Sequence, residues 1–381
     1  MKLKYAFLAV IGVFLVLSIT SVAAGAVDTS QISLVRNKEV LGPEDFEIID
    51  NFAAETIDDL VDTVDFASVS KLRFTILSNS SSNRPSAETQ YATQFSESVY
   101  RYLSQAFDEA DEFESEKRKY RVILNLLIIV DSLEDVRLTE FAPRYLDSEK
   151  TVIQYWAVHC LSNQAIIEQL NSTNPEYLIL GREICERLKA ILTEAGPEVT
   201  ALILRFASRI NIEDGRDLIL QIADVRISRY ANWQVNYELL DADVLKALSN
   251  EISSADEQGK RVFGRRFAHL LSYIIQRYVK GSITDSLMDL QKQRLASVLL
   301  EVERSCVSDI LGTRQVIIRR TLEGEDYTAL LQEHSRLLGD QTRPGLLPSK
   351  LDFNYGNTED GSERIAPPEL PDPPAKQGTE G

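Results

Sequence analysis

Apolar residues recur every three or four positions along most of this chain, which is the spacing of one face of an α-helix. The strict alternation of apolar and polar residues that is typical of strands is missing. The pattern therefore predicts an all-α fold, an antiparallel array of helices joined by short turns. Three stripes show it well: Tyr91, Phe95, Val99, Tyr102, Ala106 and Ala110; Tyr177, Leu180, Ile184, Leu188 and Ile191; and Leu287, Leu290, Leu295, Val298, Val302, Cys306 and Ile310.

Residues 122–130, VILNLLIIV, are apolar on nearly every side. The segment is far shorter than the about 20 residues that a membrane span requires, so we expect a helix buried between neighbours. Polar turns separate the helices, and some of their residues are suited to cap the helix that follows. The candidate N-caps are Asn174 before Pro175, Asp256 before a helix over 257–280, and Asp285 before Leu287.

Proline and glycine indicate how the chain is divided. Residues 27–42 are expected to be a polar lead-in, disordered or extended, and residues 43–338 a single helical, repeat-like domain. Seven of the twelve prolines lie between Pro344 and Pro374. Because residues 339–381 also lack apolar periodicity, we expect them to form a disordered, proline-rich tail.

Residues 137–161, RLTEFAPRYLDSEKTVIQYWAVHCL, resemble a HEAT repeat. A first helix carries Pro143 near its end, a turn over 147–150 follows, and a second helix bears apolar residues at the repeat's spacing. Two positions depart from the family, since Gln154 replaces a basic residue and Trp156 is bulkier than usual. The resemblance implies a HEAT-like α-solenoid or α–α superhelix that binds proteins, and it implies no particular reaction.

The N-terminus, MKLKYAFLAVIGVFLVLSITSVAAGA, has the features of a secretory signal. Lys2 and Lys4 precede an apolar run, and small residues end the segment at Ala26. We therefore predict cleavage after Ala26 and an extracytoplasmic location, in the periplasm or secreted. An uncleaved membrane anchor is the alternative, because the apolar run extends to Val22 if Ser and Thr are tolerated.

Charge narrows the classes of partner. The full chain has a net charge of −17, and the loss of Lys2 and Lys4 with the signal makes it −19. A surface this acidic repels nucleic acids and anionic membranes, which leaves a protein as the expected partner.

The chain has three cysteines. If the helix containing Trp156 continued through Gln169, Cys160 and Cys185 would lie at similar heights on neighbouring helices and could form a disulfide. Two buried thiols are the alternative, and Cys306 is expected to stay unpaired.

The chain lacks the common catalytic, nucleotide-binding and zinc-binding motifs, so we predict no catalytic residue, cofactor or metal ligand. The acidic run 108–116 lacks the spacing of a calcium loop and is more typical of acids at a helix N-terminus.

One segment reverses the charge of the chain, because residues 258–284 contain no acid. Its basic residues could bind an anionic ligand or an acidic partner segment; the alternative is that they form ion pairs with neighbouring helices. The aromatic residues Tyr230, Trp233 and Tyr237 could likewise line a sugar or peptide site, although their spacing favours a core position. The candidate binding residues are Lys260, Arg261, Arg265, Arg266 and Arg277.

These observations predict an exported, non-enzymatic helical protein that binds or scaffolds other proteins. The alternative is an extracytoplasmic hydrolase or lyase that uses paired carboxylates inside a helical toroid.

Overall fold

The computed structural model describes residues 29–81, 88–358 and 361–374, so the predicted signal segment 1–26 lies outside the described residues. Within the described ranges the regular structure is helical, with two isolated β-bridges and no strand. The prediction of an all-α fold is confirmed. The chain divides into two compact units, residues 1–142 and 143–381, where the sequence suggested a single domain over 43–338.

The described part of the first unit contains five α-helices. They are α1 (Ser30–Val35), α2 (Pro43–Asp62), α3 (Phe66–Ser78), α4 (Glu88–Glu112) and α5 (Glu116–Leu133). Helix α2 packs against α4, α3 packs against α5, and α1 lies on α2.

Two sequence expectations for this unit can be compared with the structure. The apolar segment 122–130 forms the middle of α5, and most of its side chains are buried as predicted. The lead-in 27–42 is not simply disordered or extended, because α1 forms within it and buries Ile32 and Val35. Those two side chains lie three positions apart, so they share one face of this short helix.

The segment that resembles a HEAT repeat includes the boundary between the two units. Its first part is a 3₁₀ helix, Val136–Tyr145, where an α-helix was expected. Its second part is α6 (Thr151–Ser162), which buries Ile153 and Ala157 as the spacing predicts. Trp156 is half-buried, its ring 5.2 Å from that of His159. The repeat resemblance stays a prediction.

The second unit begins with α6, and further helices follow it: α7 (Gln164–Leu170), α8 (Pro175–Ile191), α9 (Pro197–Ala207), α10 (Glu213–Ala231), α11 (Leu240–Ser254), α12 (Glu257–Ile283), α13 (Asp289–Val302), α14 (Ser308–Leu311), α15 (Ile317–Glu323), α16 (Tyr327–Leu338) and α17 (Leu346–Leu351). The unit is built around the long helix α12, which packs against α10, α11, α13, α16 and α17. A π-helical turn, Glu303–Val307, lies between α13 and α14.

Two of the three predicted N-caps are confirmed. The Asn174 side chain accepts a hydrogen bond from the Glu176 amide at 3.0 Å, and the Asp256 side chain accepts one from Gly259 at 2.7 Å. The prediction for Asp285 is wrong, because this residue adopts a left-handed backbone conformation (φ 51°) in the turn that ends α12. Helix α13 begins only at Asp289.

Helix α12 lies at the centre of the second unit, and its side chains are buried accordingly. All ten residues from Leu270 to Val279 are buried, so the helix is covered on every side over this stretch. Gly264 lets α17 approach closely, since a Cβ atom there would lie 2.8 Å from Leu351 Cδ1.

The C-terminal segment differs from the disordered tail that the sequence suggested. Residues 339–358 and 361–374 are placed on the second unit, and Leu347 and Leu370 have no exposed surface. Phe353 and Tyr355 are also buried and contact each other edge to face at 5.5 Å. These apolar anchors are spaced irregularly because most of the segment is not helical, so the helical pattern could not reveal them.

None of the described helices is long and apolar enough to cross a membrane.

Candidate functional site

Three of the predicted binding residues form ion pairs with acids on the same unit. Lys260 lies 2.8 Å from Glu257, and Arg266 lies 3.3 Å from Asp224. Arg261 contacts the Asp352 carboxylate, which follows α17. Arg261 and Arg266 therefore pair with acids outside their own helix, as the ion-pair interpretation expects, whereas Lys260 pairs within its own helix.

Arg265 lies in a different setting. Together with Arg261 it lines a cavity of about 510 Å³ between α12 and the C-terminal segment. Its Nε atom is buried and has no hydrogen-bond partner among the described residues. Asp352 and Glu363 line the same cavity, so its charges are mixed and it is not a purely cationic groove.

Arg277 lies three turns further along α12, away from the other candidate residues. Its side chain is only 3% exposed and lies 3.9 Å from Glu238. The guanidinium lies over the rings of Tyr230 and Trp233, with its Cζ atom 5.5 and 5.4 Å from the two ring centroids. Burial lowers the pKa of Arg277, and Glu238 partly offsets this. The five candidate residues therefore do not converge on one site.

The loop between α10 and α11 holds two of the aromatic residues singled out in the sequence. Trp233 and Tyr237 both have left-handed backbone conformations, with φ of 57° and 58°. Neither lies on a helix, because α10 ends at Ala231. Tyr230 is a core residue with no exposed surface. Non-glycine residues with positive φ are uncommon and concentrate at functional sites, so this loop is a candidate.

Trp233 contacts a segment that we call the strap, residues 366–372. The indole Nε1 donates a hydrogen bond to the Pro371 carbonyl at 2.9 Å. The strap is not helical, and its three prolines favour a polyproline-like backbone. An aromatic residue that donates to a carbonyl of a proline-rich segment is typical of peptide recognition.

Gln276 holds the strap backbone at two points. Its Nε2 donates to the Pro368 carbonyl at 3.0 Å, and its Oε1 accepts from the Leu370 amide at 2.7 Å. The two bonds lie on either side of Glu369, so the side-chain amide of Gln276 binds the backbone in one register. Nε2 also donates to Ser272 Oγ, which is hydrogen-bonded to His334. This network fixes the orientation of the amide.

Lys280 binds the strap one turn further along α12. Its Nζ donates to the Leu370 carbonyl at 2.6 Å and lies 3.1 Å from Glu369 and 3.0 Å from Asp372. Burial disfavours the charged form of Lys280, but the bonds to Asp372 and Glu369 outweigh it and raise its pKa above the usual value. Lys280 therefore contacts two acids and one carbonyl of the same segment.

We call the surface formed by Trp233, Gln276, Lys280 and the enclosure around Leu370 the strap site. The sequence singled out Trp233 and placed Lys280 in the basic segment, but Gln276 and Leu370 were missed. Leu370 carried one usable signal, since it is the only large apolar residue between Pro367 and Pro374.

Two buried carboxylates of this unit, Glu303 and Glu333, have structural partners, whereas Glu238 Oε2 is buried without a hydrogen-bond partner among the described residues and lies 3.7 Å from Arg294. Glu303, on the π-helical turn, accepts hydrogen bonds from the Ile318 and Arg319 amides at 2.6 and 3.0 Å. Glu333 binds Arg336 at 2.6 Å. Burial raises the pKa of Glu303. Within residues 29–81, 88–358 and 361–374, no group of His, Cys, Asp and Glu is arranged to hold a metal ion.

No disulfide joins the three cysteines, all of which lie in the described part of the chain and are buried. The helix with Trp156 ends at Ser162, and Asn163 caps a new helix, α7. The predicted alignment of Cys160 with Cys185 assumed that this helix continues through Gln169, and that assumption is wrong. Burial raises the pKa of Cys185 to about 12.

Comparison of the chain with family models, curated proteins and solved structures found no match.

Proposed function

We propose that this protein is an exported, non-enzymatic helical module that binds or scaffolds other proteins by holding extended segments of them. The observation that carries the proposal is the strap, a proline-rich segment held mainly through its backbone by side chains from elsewhere in the chain. Contacts to backbone groups are available from any extended segment, so the same surface can accept a segment of another protein.

Export is supported by the N-terminal segment, in which Lys2 and Lys4 precede the apolar run and small residues end at Ala26. The net charge of −17 supports protein partners over nucleic acid. The HEAT-like segment 137–161 supports the same function, because such repeats commonly bind proteins.

The partners of Glu303 and Glu333 favour this proposal over the hydrolase or lyase alternative. Acid–base catalysis on a polymer needs two carboxylates that face a substrate across a cleft. Glu303 and Glu333 are instead bound to backbone amides and to an arginine inside the unit.

A random peptide library displayed on phage tests the proposal. We expect the purified full-length chain carrying Leu370→Asp, in which the strap should no longer cover Gln276, to enrich peptides that bind in a fluorescence anisotropy assay, and the variants below are made in this background. Gln276→Ala should weaken that binding about tenfold, because two hydrogen bonds to the peptide backbone are lost. Gln258→Ala, at an exposed position on the same helix, is the matched control and should bind normally. Failure to enrich any peptide, together with turnover of a generic hydrolase or lyase substrate, would overturn the proposal.

A further inference from the structure

We infer that the strap site selects acidic segments in which a leucine has an acid one position before it and another two positions after it, and that the strap occupies the site in place of a partner. The inference rests on the proposed function and adds the chemistry of the partner. It depends on three observations: the enclosure of Leu370, the charges around Lys280, and the covalent connection of the strap to the same chain.

The leucine requirement follows from burial. Leu370 has no exposed surface, although Glu369 and Asp372 beside it are 83% and 88% exposed. The Leu370 amide and carbonyl are both bound, by Gln276 and Lys280. A segment held in this register places one side chain into the enclosure, and an apolar side chain of leucine's size fits it.

The preference for acids follows from Lys280. Its ammonium group lies within hydrogen-bonding distance of carboxylates one residue before and two residues after the leucine. Arg277, on the same helix, lies behind Trp233 but is buried beside Glu238, so Lys280 supplies the positive charge of this surface. In a chain of net charge −17, this cation makes the surface complementary to acidic segments.

The strap competes with any partner segment because it is tethered. A tethered segment acts at an effective concentration in the millimolar range for short linkers, so a free segment of equal affinity is largely excluded. Partner binding therefore requires release of the strap or a partner segment of higher affinity.

The test uses full-length chains and a labelled peptide that reproduces residues 364–374. Leu370→Asp in the protein should release the strap, and we expect this variant to bind the peptide at least about tenfold more tightly than the wild type does. Adding Lys280→Glu should weaken binding at least about tenfold, and a peptide carrying Glu369→Lys and Asp372→Lys should restore it. Lys260→Glu, at the other end of α12, is the control for charge.

Circular dichroism and thermal melting establish that each variant is folded. If Leu370→Asp unfolds the chain, Glu369→Lys with Asp372→Lys in the protein is the second way to release the strap. Tight peptide binding that is indifferent to Lys280 and to the acids would overturn the inference and leave the proposed function standing. A folded, released variant that binds no peptide would overturn both. If the wild type forms a concentration-dependent dimer and Leu370→Asp abolishes it, the strap of one copy binds the site of a second copy. This result would overturn the inference that the site binds a different protein.

Discussion

Arg226 and Asp241 form an ion pair in which neither side chain is exposed to solvent. The guanidinium donates from Nε to Oδ1 at 2.6 Å and from Nη2 to Oδ2 at 2.9 Å, and the Tyr230 hydroxyl donates to Oδ2 at 2.7 Å. Arg226 also donates to the Asn236 carbonyl at 3.1 Å. The pair therefore joins α10, α11 and the loop that carries Trp233.

Asp241→Asn should destabilise the fold by about 3–5 kcal/mol, because it leaves the Arg226 charge buried without a counterion. Urea unfolding of the full-length chain measures this. Arg226→Met combined with Asp241→Leu should recover most of the loss, since both buried charges are then removed. Glu257→Gln, in an exposed pair, should cost less than about 1 kcal/mol. A loss that small for Asp241→Asn would show that the pair is not structurally important.

Stability should fall as pH is lowered from about 6.5 to 4. Burial lowers the pKa of His334 from 6.5 to about 4, so in this range the unfolded chain takes up a proton that the folded chain excludes. The contribution of His334 to the free energy of unfolding is complete above the pKa that it has in the unfolded chain. It is lost as pH falls to the pKa that it has in the folded chain. His334→Gln should reduce this loss by about 2–3 kcal/mol in unfolding experiments at the two pH values. If the free energy of unfolding depends on pH in the same way in the wild type and in His334→Gln, His334 is not the group responsible for the loss.

Adjacent leucines on α17 give a matched test of how the C-terminal segment packs. Leu347 has no exposed surface, whereas Leu346 is 41% exposed. Leu347→Ala should cost about 2–5 kcal/mol through the cavity it leaves, and Leu346→Ala less than about 1 kcal/mol. Thermal melting distinguishes them. Equal, small effects would mean that the segment is detached in solution, as its composition first suggested.

The cysteines should be recovered as thiols from protein purified without reductant. Non-reducing peptide mapping should yield Cys160 and Cys185 in separate peptides, because no disulfide joins them in the structure. Burial should also prevent reaction with a thiol reagent until the chain is unfolded, when all three react. A linked Cys160–Cys185 peptide would contradict the structure.

The exported protein should begin at Val27 if the N-terminal segment is a cleaved signal. Expression of the full chain in a bacterial host, followed by fractionation and N-terminal sequencing of the exported product, tests this. Replacing Ala24 and Ala26 with bulky residues should block cleavage and retain the chain at the membrane. Recovery of the unaltered protein with Met1 intact in a membrane fraction would support the anchor instead.

Sequence patterns predicted the features that depend on residues close together in the chain. The middle of α5 and the caps at Asn174 and Asp256 follow from residues that lie within a few positions of one another. Asp285 failed as a cap because α12 is closed by a turn in which the Ser286 amide binds the Gly281 carbonyl. The spacing of apolar residues after Asp285 is as typical of a helix as the spacing after Asn174 and Asp256.

The strap site could not be predicted, because it depends on contacts between distant residues. Gln276 and Leu370 lie 94 positions apart, and neither shows its role through local periodicity. Trp233 and Tyr237 have helical spacing but lie beyond the end of α10.

The distance between Gln276 and Leu370 has a consequence for the order of synthesis. When a ribosome has just made Gln276, the residue that will cover it is still 94 positions away. At about 5–20 residues per second, the delay is on the order of 5–20 seconds. During that time the central helix lacks its last cover, so the second unit cannot complete its core before the C-terminus is made. If the chain is exported as proposed, this delay keeps the polypeptide in an incompletely folded form that can cross a membrane.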